Sequence, residues 1–160
     1  MSDPISVVVT GSAGRVGQAA CEGLLARGHK VRGFDVRQST AVEDAVLGDV
    51  SDASQVSKAM AAVEVVVHLA ATPDEDDFFG KLLPNNIIGT HNVFEAARLA
   101  GVKKVIFAST NHVTGAYGGV PPDEYLQNLP DPPRISVADP IRPDGEYGAS
   151  KAYGLSLIHI

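Results

Sequence analysis

The stretch that most constrains this chain is "ISVVVTGSAGRVG" at residues 5–17. A near-continuous apolar run (5–10) meets glycine and passes at once into a helical pattern, "RVGQAACEGLLARG" (15–28). A strand that is apolar on both sides belongs inside a sheet covered on both faces. The glycine turn after it sets a helix start at the end of that strand, with free N–H groups and the positive end of the helix dipole. Gly11, Gly14 and Gly17 suit three jobs there: a tight turn, close backbone approach to a phosphate pair, and close packing of helix on sheet. Three glycines after a strand are a weak signal alone. The elements downstream of them decide their meaning.

Short β-rich runs go on alternating with helical patterns. Strands are predicted at 30–36, within 45–50, at 64–71 and at 103–110; helices at 52–63, with Asp52 as N-cap, and at 84–101, opening on Pro84 and closing on Gly101. This rhythm predicts an α/β fold, a doubly wound parallel sheet of the Rossmann kind in one domain over 1–160. Residues 115–145 carry most of the prolines and read as one long ordered loop.

Asp35 closes the second predicted strand. A carboxylate there can bond both hydroxyls of an adenosine ribose and repel a 2′-phosphate, which favours NAD over NADP. Arg37 argues the other way, since a nearby arginine can accommodate that phosphate.

"EYGASKAYG" (146–154) places Tyr147 and Lys151 four residues apart, on one face of a helix. Free tyrosine is a poor base at neutral pH, and an ammonium nearby favours its phenolate form. Such a pair can move a proton on and off a substrate hydroxyl. The spacing also arises by chance on solvated helices.

Taken together, "TGSAGRVG", Asp35, "GDV" (48–50), "HLAA" (68–71), "NIIGT" (86–90), "FAST" (107–110) and "YGASK" (147–151) resemble the extended branch of the short-chain dehydrogenase/reductase superfamily, the NAD-dependent epimerases and dehydratases. The resemblance implies a cofactor site of Gly11, Ala13, Gly14, Arg15, Val16, Gly17, Asp35, Asp49, Val50, Leu69, Ala70 and Ala71, with Asp49 and Val50 beside the adenine. It implies that Asn86 supports the catalytic lysine through water and that Thr110 orients the reacting oxygen. Tyr147 would be the acid/base, and Lys151 would tune it and hold the nicotinamide ribose. An ordinary helix asparagine and a strand-end hydroxyl are the plain alternatives for Asn86 and Thr110.

"FASTNHVTG" (107–115), "NIIGTHNVFEAAR" and "RPDGEYGASK" are similar to uronate dehydrogenases and related NAD-dependent aldose dehydrogenases, which oxidise a C1 hydroxyl to a lactone. Asn111 and His112 would then bind sugar hydroxyls or a carboxylate, or His112 is a structural loop residue. A nucleotide-sugar epimerase or dehydratase, and a dinucleotide-binding protein without catalysis, are the other readings. Relatives often pair through the helices after strands four and five, so self-association is an expectation by analogy.

Composition narrows the setting. The chain has a net charge of −6, which lacks the basic face of a nucleic-acid binder. No apolar run reaches membrane-span length, and the first residues lack a signal-peptide pattern. Cys21 is alone and reads as a small buried hydrophobe. The histidines are not at metal-ligand spacings, and His68 falls in the fourth strand. A cytoplasmic setting is expected. The chain stops nine residues after Lys151, where the resembling proteins continue into another strand and into substrate-binding segments. Its last six residues, "LSLIHI", resemble translated sequencing-adapter DNA, so a fragment is expected, with a naturally short relative as the alternative.

Overall fold

A computed structural model describes residues 3–117 and 135–157. Five parallel strands form one sheet: β1 (Ser6–Thr10), β2 (Lys30–Asp35), β3 (Asp44–Leu47), β4 (Val65–His68) and β5 (Lys104–Phe107). Their order is β3-β2-β1-β4-β5, so β1 is central and the order reverses between β1 and β4.

Alternation along β1 explains why both of its faces are apolar. Val8 points to one side, into a cluster with Phe34, Val56, Met60, Val66, Val93 and Ala97. Val7 and Val9 point to the other, packing with Cys21, Val31 and Val42. All three valines are essentially inaccessible to water. Helix α1 (Arg15–Ala26) covers the second face through Cys21. Helices α2 (Ala53–Ala59) and α3 (Gly89–Leu99) cover the first through Val56, Val93 and Ala97. The sheet is therefore wound on both faces, as the sequence pattern predicts.

Local signals mostly hold. The Asp52 carboxylate caps α2 by accepting from the N–H of Ser54 and Gln55. The chain turns after α1 and α3 at Gly28 and Gly101, both at positive φ. The helix expected to open on Pro84 does not. It starts at Phe78 as a wide π-helical segment, Phe78–Ile88, with Pro84 inside it, and continues into α3. Leu82 N–H reaches Asp77 O, and Gly89 N–H reaches Pro84 O, five residues back. A proline lacks the N–H for a helix bond, and its ring strikes the carbonyl four residues earlier. The wider turn relieves that clash, so the helix runs through it. Strands β4 and β5 are also shorter than predicted, ending at His68 and Phe107, with one more bond each from Leu69 N–H to Thr10 O and from Ala108 N–H to His68 O.

Residues 118–134 of the proline-rich segment lie outside the described residues. Its described ends sit close together: Arg142 N–H donates to Val113 O, Ala116 N–H donates to Arg142 O, and Tyr117 Oη donates to Pro140 O. Helix α4 (Glu146–Ser156) then packs against the π-helical segment and against Phe107, where a side chain at Gly154 would collide with the ring. None of the described helices is long and apolar enough to cross a membrane.

Candidate active site

At the carboxyl ends of β1, β2 and β4 lies a cleft of about 560 Å³. Gly11, Gly14, Arg15, Val16 and Gly17 form its floor; Asp35, Asp49 and Val50 line one part, and Leu69, Ala70 and Ala71 another. Of the residues expected to hold a cofactor before Asn86, only Ala13 stands off the wall. Its N–H instead donates to Asp35 Oδ2 at 3.0 Å.

The turn after β1 works only with glycine at two positions. Gly11 sits at φ +72°, and a Cβ there would lie 2.7 Å from Ala70 N. A Cβ on Gly17 would run into Gly11 O. Gly14 is the N-cap of α1 and provides no side-chain cap, and the first turn holds no acidic residue. The first N–H groups of a helix have no intrahelical acceptor. Here they meet the cleft with the dipole's positive end, and that suits a diphosphate.

Asp35 is held rather than loose. Oδ2 accepts from Ala13 N–H, and Oδ1 accepts from Arg37 N–H at 2.9 Å. Its side chain is only 9% exposed, whereas the Arg37 side chain is 71% exposed, with Nε 4.0 Å from Oδ1. Each carboxylate oxygen keeps a further lone pair for a ribose hydroxyl.

The walls beyond β4 rest on a buried polar pillar. Thr10 Oγ1 accepts from the N–H of Leu69 and of Ala70, both at 3.2 Å, and lies 2.7 Å from His68 Nδ1. His68 Nε2 lies 3.2 Å from Thr90 Oγ1. Burial, helped by the charge of Lys151, pushes His68 down to about 3, so it stands neutral beneath the cleft.

The residues expected to do chemistry gather on and around α4. Tyr147 and Lys151 lie one turn apart on it. Lys151 is 4% exposed, and burial lowers it to about 8. Its Nζ donates to Ala108 O at 3.1 Å and lies 5.1 Å from the Phe107 ring centroid. The ammonium therefore bonds the end of β5 rather than Tyr147. Asn86 makes its direct bonds away from the Lys151 ammonium. Its Nδ2 donates to Ser150 Oγ and to Thr72 O, and its Oδ1 accepts from Thr72 N–H. It thus ties the π-helical segment to α4 one residue before the lysine.

Thr110 caps a 3₁₀ turn, Asn111–Val113, accepting from His112 N–H. Its hydroxyl donates weakly to Asn111 Oδ1, at 3.4 Å. The His112 ring stands edge-on to Tyr147, with centroids 5.7 Å apart. The 3₁₀ turn and α4 thus meet at His112 and Tyr147, with Thr110 and Asn111 on the same turn.

Three contributions escape sequence reasoning. Asn85, not Asn86, lines the cleft; helical phase alone separates the two. Glu75 Oε1 accepts from Tyr147 N–H at 3.0 Å and so caps α4 from 72 residues away. Asp144 pairs with His112 across 32 residues. Nothing in local spacing announces these last two.

Fold and cleft together define a doubly wound α/β protein whose glycine turn and helix start suit a dinucleotide, with a tyrosine and a lysine one turn apart on α4. Residues 7–160 match the NAD dependent epimerase/dehydratase family, and the chain belongs to that family. It is 38% identical over 151 residues to an L-arabinose 1-dehydrogenase (NAD(P)(+)) of Haloferax volcanii, covering 94% of this chain and 59% of that protein. It is 34% identical over 154 residues to a uronate dehydrogenase of Agrobacterium fabrum, covering 94% and 53%. The crystal structure of uronate dehydrogenase from Agrobacterium tumefaciens superposes with a TM-score of 0.80 at 33% identity, covering 96% of this chain and 54% of that one. The chain spans a little over half the length of these relatives.

Proposed function

We propose that residues 1–160 supply the NAD site and the proton-transfer residues of a dehydrogenase acting on a sugar or sugar acid, oxidising a C1 hydroxyl to a lactone. One observation carries this reading: α4 sets Tyr147 against His112 and Lys151 against Ala108, just past the carboxyl end of β5 and at the same end of the sheet as the cleft. The named relatives, an arabinose and a uronate dehydrogenase, support the substrate class.

NAD, when bound, would supply the hydride acceptor. Asp35 would hold the adenosine ribose, and the open start of α1 would hold the diphosphate. Tyr147 would take the proton of the sugar hydroxyl, with Thr110 bonding the same oxygen. Lys151, fixed by Ala108 O and poorly hydrated, would keep positive charge near Tyr147, favouring the phenolate that accepts this proton, and have further N–H donors for the nicotinamide ribose. His112 and Asn111 would contact sugar hydroxyls.

The test is NADH formation by a protein carrying residues 1–160 at the length of these relatives, over a panel of uronic acids, aldoses and sugar phosphates. Net NADH with a free sugar or sugar acid is expected. Conversion of a nucleotide sugar without net NADH would point to the epimerase or dehydratase reading. NAD binding with no turnover on any sugar would leave a binding protein.

A further inference from the structure

We propose that Asp144 is a positioning residue of the sugar site: it fixes His112 in the Nδ1–H form, so that Nε2 accepts a hydrogen bond from a sugar hydroxyl beside Tyr147. The proposal rests on the sugar-dehydrogenase reading above.

Asp144 Oδ1 and Oδ2 lie 3.1 Å and 3.0 Å from His112 Nδ1. An ionised carboxylate only accepts, so Nδ1 carries the proton. In the neutral ring the lone pair then sits on Nε2, which makes no hydrogen bond among the described residues. One nitrogen is anchored and the other has no such partner among the described residues, on a ring set edge-on to Tyr147.

The surrounding backbone is shaped to hold this pair. Asp144 N–H donates to His112 O at 3.3 Å, and Arg142 N–H donates to Val113 O at 2.8 Å, so two distant stretches run side by side. A Cβ on Gly115 would strike the Asp144 carboxylate, and one on Gly148 would strike His112 O. Both positions keep the space the pair needs. The side chains are 34% and 19% exposed, His112 being the more open. A partly exposed ring anchored through one nitrogen suits a ligand contact.

The chemistry sets what the ring reads. A neutral imidazole with Nδ1–H occupied offers only an acceptor at Nε2. It takes an O–H, not a carboxylate. In that neutral form the ring reads a sugar hydroxyl rather than a carboxylate.

Two measurements test this. The first uses the 160-residue chain and side-chain ¹⁵N spectra of its histidines, with the His112 signals assigned from His112→Gln. His112 is expected in the Nδ1–H form, and Asp144→Asn or Asp144→Ala is expected to move it toward the Nε2–H form. An Nε2–H ring in the parent chain, or no change in either variant, overturns the proposal. The second uses the protein of relatives' length. Asp144→Asn is expected to raise KM and lower kcat/KM for the sugar by about tenfold, the loss of one well-made hydrogen bond, with NAD affinity unchanged. In a His112→Ala background that loss should vanish. An equal loss in both backgrounds shows a merely structural carboxylate and overturns the proposal. The expected spectra without turnover of any sugar would instead overturn the sugar reading and leave the Asp144–His112 pair standing.

Discussion

Thr10 and His68 sit directly opposite each other on β1 and β4 and share a buried 2.7 Å hydrogen bond. Thr10 Oγ1 already accepts from two N–H groups, so its own proton goes to His68 Nδ1. The ring proton then sits on Nε2 and donates to Thr90. One neutral imidazole thus joins the central strand, the cleft wall and α3.

This pillar makes the fold acid-sensitive. His68 is lowered from 6.5 to about 3, chiefly by burial. Between those values the unfolded chain binds the proton and the folded chain does not, so stability falls as pH drops from 6.5 toward 3. One such group costs about 1.4 kcal/mol per pH unit. Urea unfolding as a function of pH should show that His68→Gln flattens the acid limb, whatever it does to stability at pH 7. An unchanged slope would remove His68 as its source.

Lys151 gives the opposite limb. Burial lowers it from 10.5 to about 8. Below pH 8 the full cost of holding a buried ammonium is present, and it is relieved as pH rises through 8 toward 10.5. The cost is on the order of 3 kcal/mol. Lys151→Met, of similar shape, should therefore raise the apo-protein's melting temperature at pH 7 and lose most of that advantage by pH 10. Equal stability of parent and variant at pH 7 would show that the ammonium is not strained.

Cofactor choice should turn on Asp35. Asp35→Ala removes the ribose acceptor, and hydrogen bonds to a charged group are worth about 1.5–3 kcal/mol each. NAD should bind roughly 10- to 100-fold more weakly, while NADP gains relatively because no carboxylate repels its 2′-phosphate. Titrating both cofactors by fluorescence measures the ratio. No change in it would take Asp35 out of the ribose site.

Proton transfer should turn on Tyr147. Tyr147→Phe keeps the ring against His112 and removes the hydroxyl. Turnover in a protein of relatives' length should fall about 10²–10⁴-fold, with NAD affinity retained. Near-parent turnover would sink the mechanism.

The sheet, its winding and the glycine turn were legible because each rests on local pattern. Val7, Val8 and Val9 are apolar without alternation, and only a strand buried on both faces uses such a run. The Gly11–Gly17 turn was legible for the same reason: two of its glycines meet backbone that no side chain could approach. Pro84 misled, because the rule that a proline opens a helix ignores a wider turn that accommodates its ring.

By itself the sequence determined which residue types meet at the carboxyl end of the sheet, since strand and helix periodicity places their backbones. Tertiary structure alone decided which of them touch. Lys151 bonds Ala108 rather than Tyr147, Asn86 bonds Ser150, Glu75 caps the helix of Tyr147, and Asp144 holds His112. Partners far apart in the chain leave no mark in local spacing. Their pairing follows from how the packed layers bring loop ends together, and from burial that makes each polar group take the nearest partner it can reach.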